Sequence, residues 1–126
     1  MYTGIQLNVA LKPIRWVATS LRDLRAFPRA VRMEIGHALF AAQTGMTDPG
    51  AKPLKGFGGA GVLEIVASHH GNAWRAVYTV RFHGAIYVLH VFQKKSTRGI
   101  ATPAREIQLI RRRLAEAERD YRGRQN

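Results

Sequence analysis

The chain has no cysteine among its 126 residues, few acids and no long apolar run, and each shortage closes off a class of protein. Without cysteine there is neither a disulfide framework nor a thiolate zinc site, which suits a reducing compartment. No window approaches the roughly 18 uninterrupted apolar residues that a membrane span needs. The opening Met1-Tyr2-Thr3-Gly4-Ile5-Gln6 has no basic patch leading into an apolar run, so an unexported, cytoplasmic protein is expected. Acids number 8 against 20 Lys and Arg, a formal net charge of +12. Such a surface collects polyanions by counterion release, which points to nucleic acid, an acidic protein, or both. What is present suffices for a core: 46% of residues are apolar, too many for a disordered chain. The length suits one domain, taken as residues 1–126.

Leu7, Val9 and Leu11 alternate with polar or small neighbours, and Ile14 and Trp16 resume the period after Pro13. Residues 6–17 therefore read as a first strand broken at the proline. Ser20 with Asp23 resembles a capping box that opens a short helix through Leu21, Leu24 and Phe27. Pro28 starts a second helix, whose apolar stripe Val31, Ile35, Leu39 and Ala42 ends at Gly45. Residues 45–61 are rich in glycine and form a long loop bearing Lys52 and Lys55. Three strands follow, Val62–Ser68, Ala73–Phe82 and Ala85–Gln93, joined at His70-Gly71-Asn72 and His83-Gly84 as an antiparallel meander. The third is apolar on both faces and so must be covered on both sides. Thr102 as N-cap, Pro103 at the first helical position and Glu106 in the first turn begin a last helix with the stripe Ile107, Ile110, Leu114, Ala117 and Tyr121. The order gives an α+β fold: an antiparallel sheet with a helical hairpin before it and a helix after it.

Between Glu64 and Glu106 there is no acid, while Arg75, Arg81, Lys94, Lys95, Arg98 and Arg105 all fall inside the gap. With Lys52 and Lys55 from the glycine-rich loop, these cations could gather at one rim of the sheet, grip phosphates and stabilise charge developing at phosphorus. Arg75 sits in a largely apolar strand, so it either faces a cleft or pairs with Glu64 on the adjacent strand. Lys94 and Lys95 are either a solvated strand end or a pair that depress one another's pKa and carry protons. The histidines have no metal-ligand spacing: His69 and His70 diverge in a turn and His37, His83 and His90 stand alone, so neither a metal nor a cofactor is expected. His90 shares a strand face with Val88 and Phe92 and reads as a core histidine. Arg111-Arg112-Arg113 reads as a solvated helix face, or as a contact for rRNA or an acidic partner.

Several segments together resemble the phage-derived HigB-like branch of the RelE/ParE toxin superfamily. They are Lys52-Pro53-Leu54-Lys55-Gly56-Phe57, Val62-Leu63-Glu64-Ile65, Trp74-Arg75-Ala76-Val77-Tyr78, and Tyr87 through Ser96, closing with Ala101-Thr102-Pro103 and a basic helix. The resemblance runs from about Pro13 to the last helix. It implies a small RelE-like domain with a twisted antiparallel sheet, and a toxin of a type II pair neutralised by a helix-turn-helix antitoxin. It also implies metal-independent endoribonuclease action on translated mRNA at the ribosome, with the ribose 2′-hydroxyl attacking the adjacent phosphate. Under it Arg75 matches the arginine of an aromatic-Arg strand motif, Lys94 and Lys95 a basic strand end, and Lys52 and Lys55 a basic loop. Together with the acid-free stretch this makes Arg75, Lys94, Lys95 and Lys55 the catalytic candidates and Lys52, Arg81, Arg98 and Arg105 the RNA-binding ones. This sequence departs from the pattern at Glu64-Ile65-Val66, where many relatives carry Glu-Leu-Arg, and in lacking an alignable catalytic tyrosine, since Tyr121 reads as core. Two alternatives remain open: a ParE-like inhibitor of DNA gyrase without nuclease activity, and a basic nucleic-acid-binding module. Assembly with itself or with the antitoxin is likewise open.

Overall fold

Pairing of the strands decides where everything else can sit. The computed structural model describes residues 10–59, 61–94 and 102–126. The elements are β1 (Ile14–Trp16), α1 (Ser20–Arg25), α2 (Arg29–Gln43), β2 (Lys52–Pro53), β3 (Val62–His69), β4 (Asn72–Thr79), β5 (Ile86–Lys94) and α3 (Ala104–Gln125). They build an α+β fold on one five-stranded sheet in the order β1-β5-β4-β3-β2. The expected meander is present, with β3, β4 and β5 antiparallel in turn. Two further strands extend it: β2 inside the glycine-rich loop, antiparallel to β3, and β1, which runs parallel to β5 and makes the sheet mixed. Of the expected first strand, residues 6–9 lie outside the described residues and only Ile14–Trp16 pair.

The two-residue connection His70-Gly71 has positive φ at both positions, 49° and 78°, the twist that a tight hairpin requires. Here the side chains of His69 and His70 do not diverge: their rings meet edge to face at 4.1 Å. Strand β4 ends at Thr79 rather than Phe82, because the Thr79 hydroxyl turns back to donate to the Gly61 carbonyl and to accept from the Arg81 N–H. Both expected caps differ. Ser20 is the first residue of α1, not its cap, and its buried hydroxyl donates to the Val88 carbonyl. Pro103 stands at the cap of α3, and the Thr102 hydroxyl goes to Glu64 instead.

Alternation of side chains splits the core into two layers. On one face Leu63, Ile65, Ala67, Trp74, Ala76, Tyr78, Ile86, Val88 and Val91 pack with Leu24 of α1 and with Val31, Ile35, Ala38, Leu39 and Ala42 of α2. On the other, Val62, Val77, Tyr87 and Leu89 pack with Ile110 and Ala117 of α3 and with Leu54 and Phe57 of the loop. Strand β5 is therefore covered on both sides, as its apolar composition requires. No helix among the described residues is long and apolar enough to cross a membrane.

Candidate functional site

Cross-strand register lines up side chains on the α3 face of the sheet. One row runs Lys52, Glu64, Val77, His90; the next runs Val66, Arg75, Phe92; the third holds Ser68, Ala73 and Lys94. Helix α3 begins at the first row, where Glu106 reaches His90, and runs away from the other two toward Tyr87, which donates to Asp120 at 2.7 Å. In the rows beyond its start Val66 is 39% exposed, whereas Arg75, Phe92 and Lys94 are half-buried.

Beyond the start of α3, Arg75 Nη1 donates to Glu64 Oε1 at 2.9 Å, an ion pair whose side chains are only 13% and 14% exposed. The second carboxylate oxygen of Glu64 accepts from the Thr102 hydroxyl at 3.1 Å. The pairing open to Arg75 in the sequence is realised, and the pair lies on the α3 face of the sheet, beyond the start of that helix. Burial, then the Arg75 guanidinium, holds the Lys94 ammonium below its ordinary pKa, with Glu64 pulling the other way. That electrostatic contact places Lys94 in the same group as Arg75 and Glu64. Chemically the group offers a carboxylate held by two donors, a guanidinium beside it, and an ammonium whose proton is easier to release.

Of the other residues singled out in the sequence, Lys52 joins the row of Glu64 and is exposed. Arg105 is exposed in the first turn of α3, next to Glu106. Lys55 follows Leu54, whose N–H donates to the Val62 carbonyl, so the loop carries it away from Arg75. Arg81 lies past the opposite end of β4, roughly 20 Å from Arg75 at the usual rise per strand residue. Lys95 and Arg98 lie outside the described residues.

A buried polar network supports the site from beneath. His90 is 7% and Arg113 8% exposed. Arg113 Nη1 lies 3.2 Å from His90 Nδ1, and His90 Nε2 lies 2.9 Å from Glu106 Oε2. A guanidinium can only donate, so Nδ1 accepts and the imidazole proton sits on Nε2, donated to Glu106. Burial, opposed by Glu106, holds the His90 pKa below its ordinary value, which agrees with that neutral tautomer. His90 does not share a face with Val88 as expected. Val88 opposes Tyr78 while His90 opposes Val77, so Leu89 is an extra residue that reverses the alternation. Nor is Arg113 solvated; of the three consecutive arginines Arg111 clamps the loop, donating to the Gly56 carbonyl at 2.6 Å with its guanidinium 4.6 Å from the Phe57 ring.

Between β1 and the far end of α3 lies a separate cavity of about 430 Å³, lined by Arg15, Tyr87, Glu116, Asp120 and Arg124 among others. Asp120 there accepts from both Tyr87 and Arg124, while Arg15 Nε and Nη1 are buried without a hydrogen-bond partner among the described residues.

Residues 22–115 match the family model described as phage derived protein Gp49-like. Among solved structures, the chain is similar to the toxin-antitoxin complex RelBE2 from Mycobacterium tuberculosis, at 20% identity over 71% of this chain and 98% of that chain, with a TM-score of 0.45. No curated protein matches.

Proposed function

The chain belongs to the phage-derived Gp49-like family, and from that premise we propose that it is the toxin of a type II toxin-antitoxin pair, cutting translated mRNA at the ribosome without a metal. The observation that carries this reading is the half-buried Arg75–Glu64 ion pair, with Lys94 in its field, on the α3 face of the sheet beyond that helix's start. The acid-free stretch between Glu64 and Glu106 and the net charge of +12 support an RNA substrate.

In the proposed reaction Glu64 accepts the proton of a ribose 2′-hydroxyl, whose oxygen attacks the adjacent phosphorus. The 5′-oxygen of the next nucleotide leaves, giving a 2′,3′-cyclic phosphate and a free 5′-hydroxyl. Arg75 and Lys94 stabilise the charge building on the phosphoryl oxygens, and Lys94, with its lowered pKa, hands a proton to the leaving oxygen. Lys95 joins them as a cation, and Lys52, Arg98 and Arg105 hold the flanking phosphates. Lys55 and Arg81 take no part in the phosphate site. A helix-turn-helix antitoxin neutralises the basic surface.

The test is induction in a bacterial host, with primer-extension mapping of a translated reporter mRNA beside the same transcript lacking its start codon. The proposal expects cuts in the translated message alone, lost in Arg75→Ala. Growth arrest with intact message and stalled supercoiling would replace it with gyrase inhibition.

A further inference from the structure

Helix α2 is apolar on two opposite sides, and the fold uses only one of them. Val31, Ile35, Ala38, Leu39 and Ala42 face the sheet and are buried. Met33 and Phe40, seven residues apart and so two turns apart on one line, face away from it and are 62% and 53% exposed. Met46, just past the helix end, is 67% exposed. Large apolar side chains lined up outward on a surface helix mark an interaction surface.

Gly36 lies between Met33 and Phe40 on this outward side. A glycine in mid-helix weakens the helix relative to alanine, and nothing among the described residues asks for one, since a Cβ there would meet none of their atoms within 4 Å. The missing side chain instead leaves a notch between two apolar ridges, where the backbone of a partner helix can come close. Arg29 and Arg32 are exposed around the stripe, with Arg25 of α1 before them, and Glu34 is the one acid of α2.

We infer that the Met33–Gly36–Phe40 face of α2 is the docking surface for an amphipathic helix of an acidic protein partner. That helix would bring apolar residues at i, i+4 and i+7 into the stripe and acids against Arg29 and Arg32. A second copy of this chain is the wrong occupant: two-fold pairing would set the arginines of two strongly basic molecules against each other. Because α2 covers the face of the sheet opposite Arg75, the contact anchors the partner without filling the phosphate site. This inference rests on the antitoxin reading above and names where that antitoxin is held.

The test uses the full chain and the full-length helix-turn-helix protein encoded beside it, with affinity measured by calorimetry. Met33→Glu with Phe40→Glu should weaken binding at least ~100-fold, as expected when apolar anchors are removed, while mRNA cleavage stays at the wild-type level. Gly36→Ala, which nothing among the described residues opposes, should leave the unfolding temperature unchanged or higher and still weaken the complex about 10-fold by filling the notch. Wild-type affinity in both variants overturns the inference alone. So does a wild-type homodimer that Met33→Glu with Phe40→Glu dissociates. A wild-type chain that does not bind its neighbour's product overturns the antitoxin reading together with this inference, whereas failure to cleave mRNA bears only on the nuclease.

Discussion

Arg113 and Leu89 meet where the sheet falls out of step: Arg113 Nη1 donates at 3.0 Å to the carbonyl of the bulged residue, which has no Cα partner on β4. A bulge leaves ladder groups without a strand partner, and a buried carbonyl in that position must find another donor. Arg113 supplies it, and with the same side chain reaches His90 Nδ1 and the Thr19 hydroxyl, which passes a hydrogen bond on to Asp23. One buried guanidinium thus joins β5, α3 and the start of α1.

Arg113→Met keeps the buried stem and removes every donor. The Leu89 carbonyl and the His90 ring nitrogen then lose their partner inside the core, a loss of about 3 kcal/mol for a charged, buried hydrogen-bonding group. Thermal unfolding should shift down by roughly 10 °C for a domain of this size. A shift of under about 2 °C would show that Arg113 is not what holds the bulge.

His90 makes the fold sensitive to mild acid. Its pKa is held below the ordinary imidazole value of about 6.5, mainly by burial, so the unfolded chain takes up its proton first as pH falls. Stability from this residue is complete above the unfolded pKa, declines as pH drops below about 6.5, and is gone once pH passes the lower folded pKa. Chemical denaturation between pH 7.5 and pH 5 should show that decline. His90→Gln can still donate to Glu106 and accept from Arg113, and should flatten it; an unchanged slope in that variant would assign the effect to another group.

How much of this was legible in the sequence depended on whether the signal was local. The three long strands, both N-terminal helices and the terminal helix follow from period and from Pro28, Pro103 and the His70-Gly71 turn, all read within a few residues. Strand β1 beside β5, and β2 beside β3, are pairings between distant segments, and two- or three-residue strands carry no period of their own. The bulge at Leu89 was invisible because Tyr87 through Phe92 is apolar almost throughout, so alternation gave no register to break. For the site, the missing acids drew attention to Arg75 and Lys94, which the fold does gather. Glu64 appeared in the sequence only as a neutralising partner, although register puts it in the same group. Arg81 belongs to the same acid-free stretch and Lys55 to the glycine-rich loop expected at the same rim, but strand direction carries both away from Arg75.

Arg111 tests the loop that carries Lys52 and Lys55. Its bond to the Gly56 carbonyl and its place over Phe57 are exposed contacts, together worth about 1 kcal/mol. Arg111→Ala should therefore change global stability little while exposing the 55–61 segment to faster amide exchange and proteolysis. Equal exchange in both proteins would mean that the buried Leu54 and Phe57 hold the loop unaided.

The sharpest test of the proposed site sets Lys94 against Arg81, two cations from the same acid-free stretch that the fold sends to opposite ends of β4. Lys94→Met removes a charge beside Arg75 and Glu64. It should lower mRNA cleavage by about 10²-fold, the scale for one electrostatic stabiliser of a transition state. It should also reduce the slope of log binding against log salt by about one, since one phosphate contact is lost. Arg81→Met should leave the cleavage rate within about twofold, because its distance from Arg75 denies it a phosphate shared with that residue. If Arg81→Met proves the more damaging of the two, the reacting phosphate lies at the Thr79 end of the sheet, and the Arg75–Glu64 pair is a structural ion pair alone.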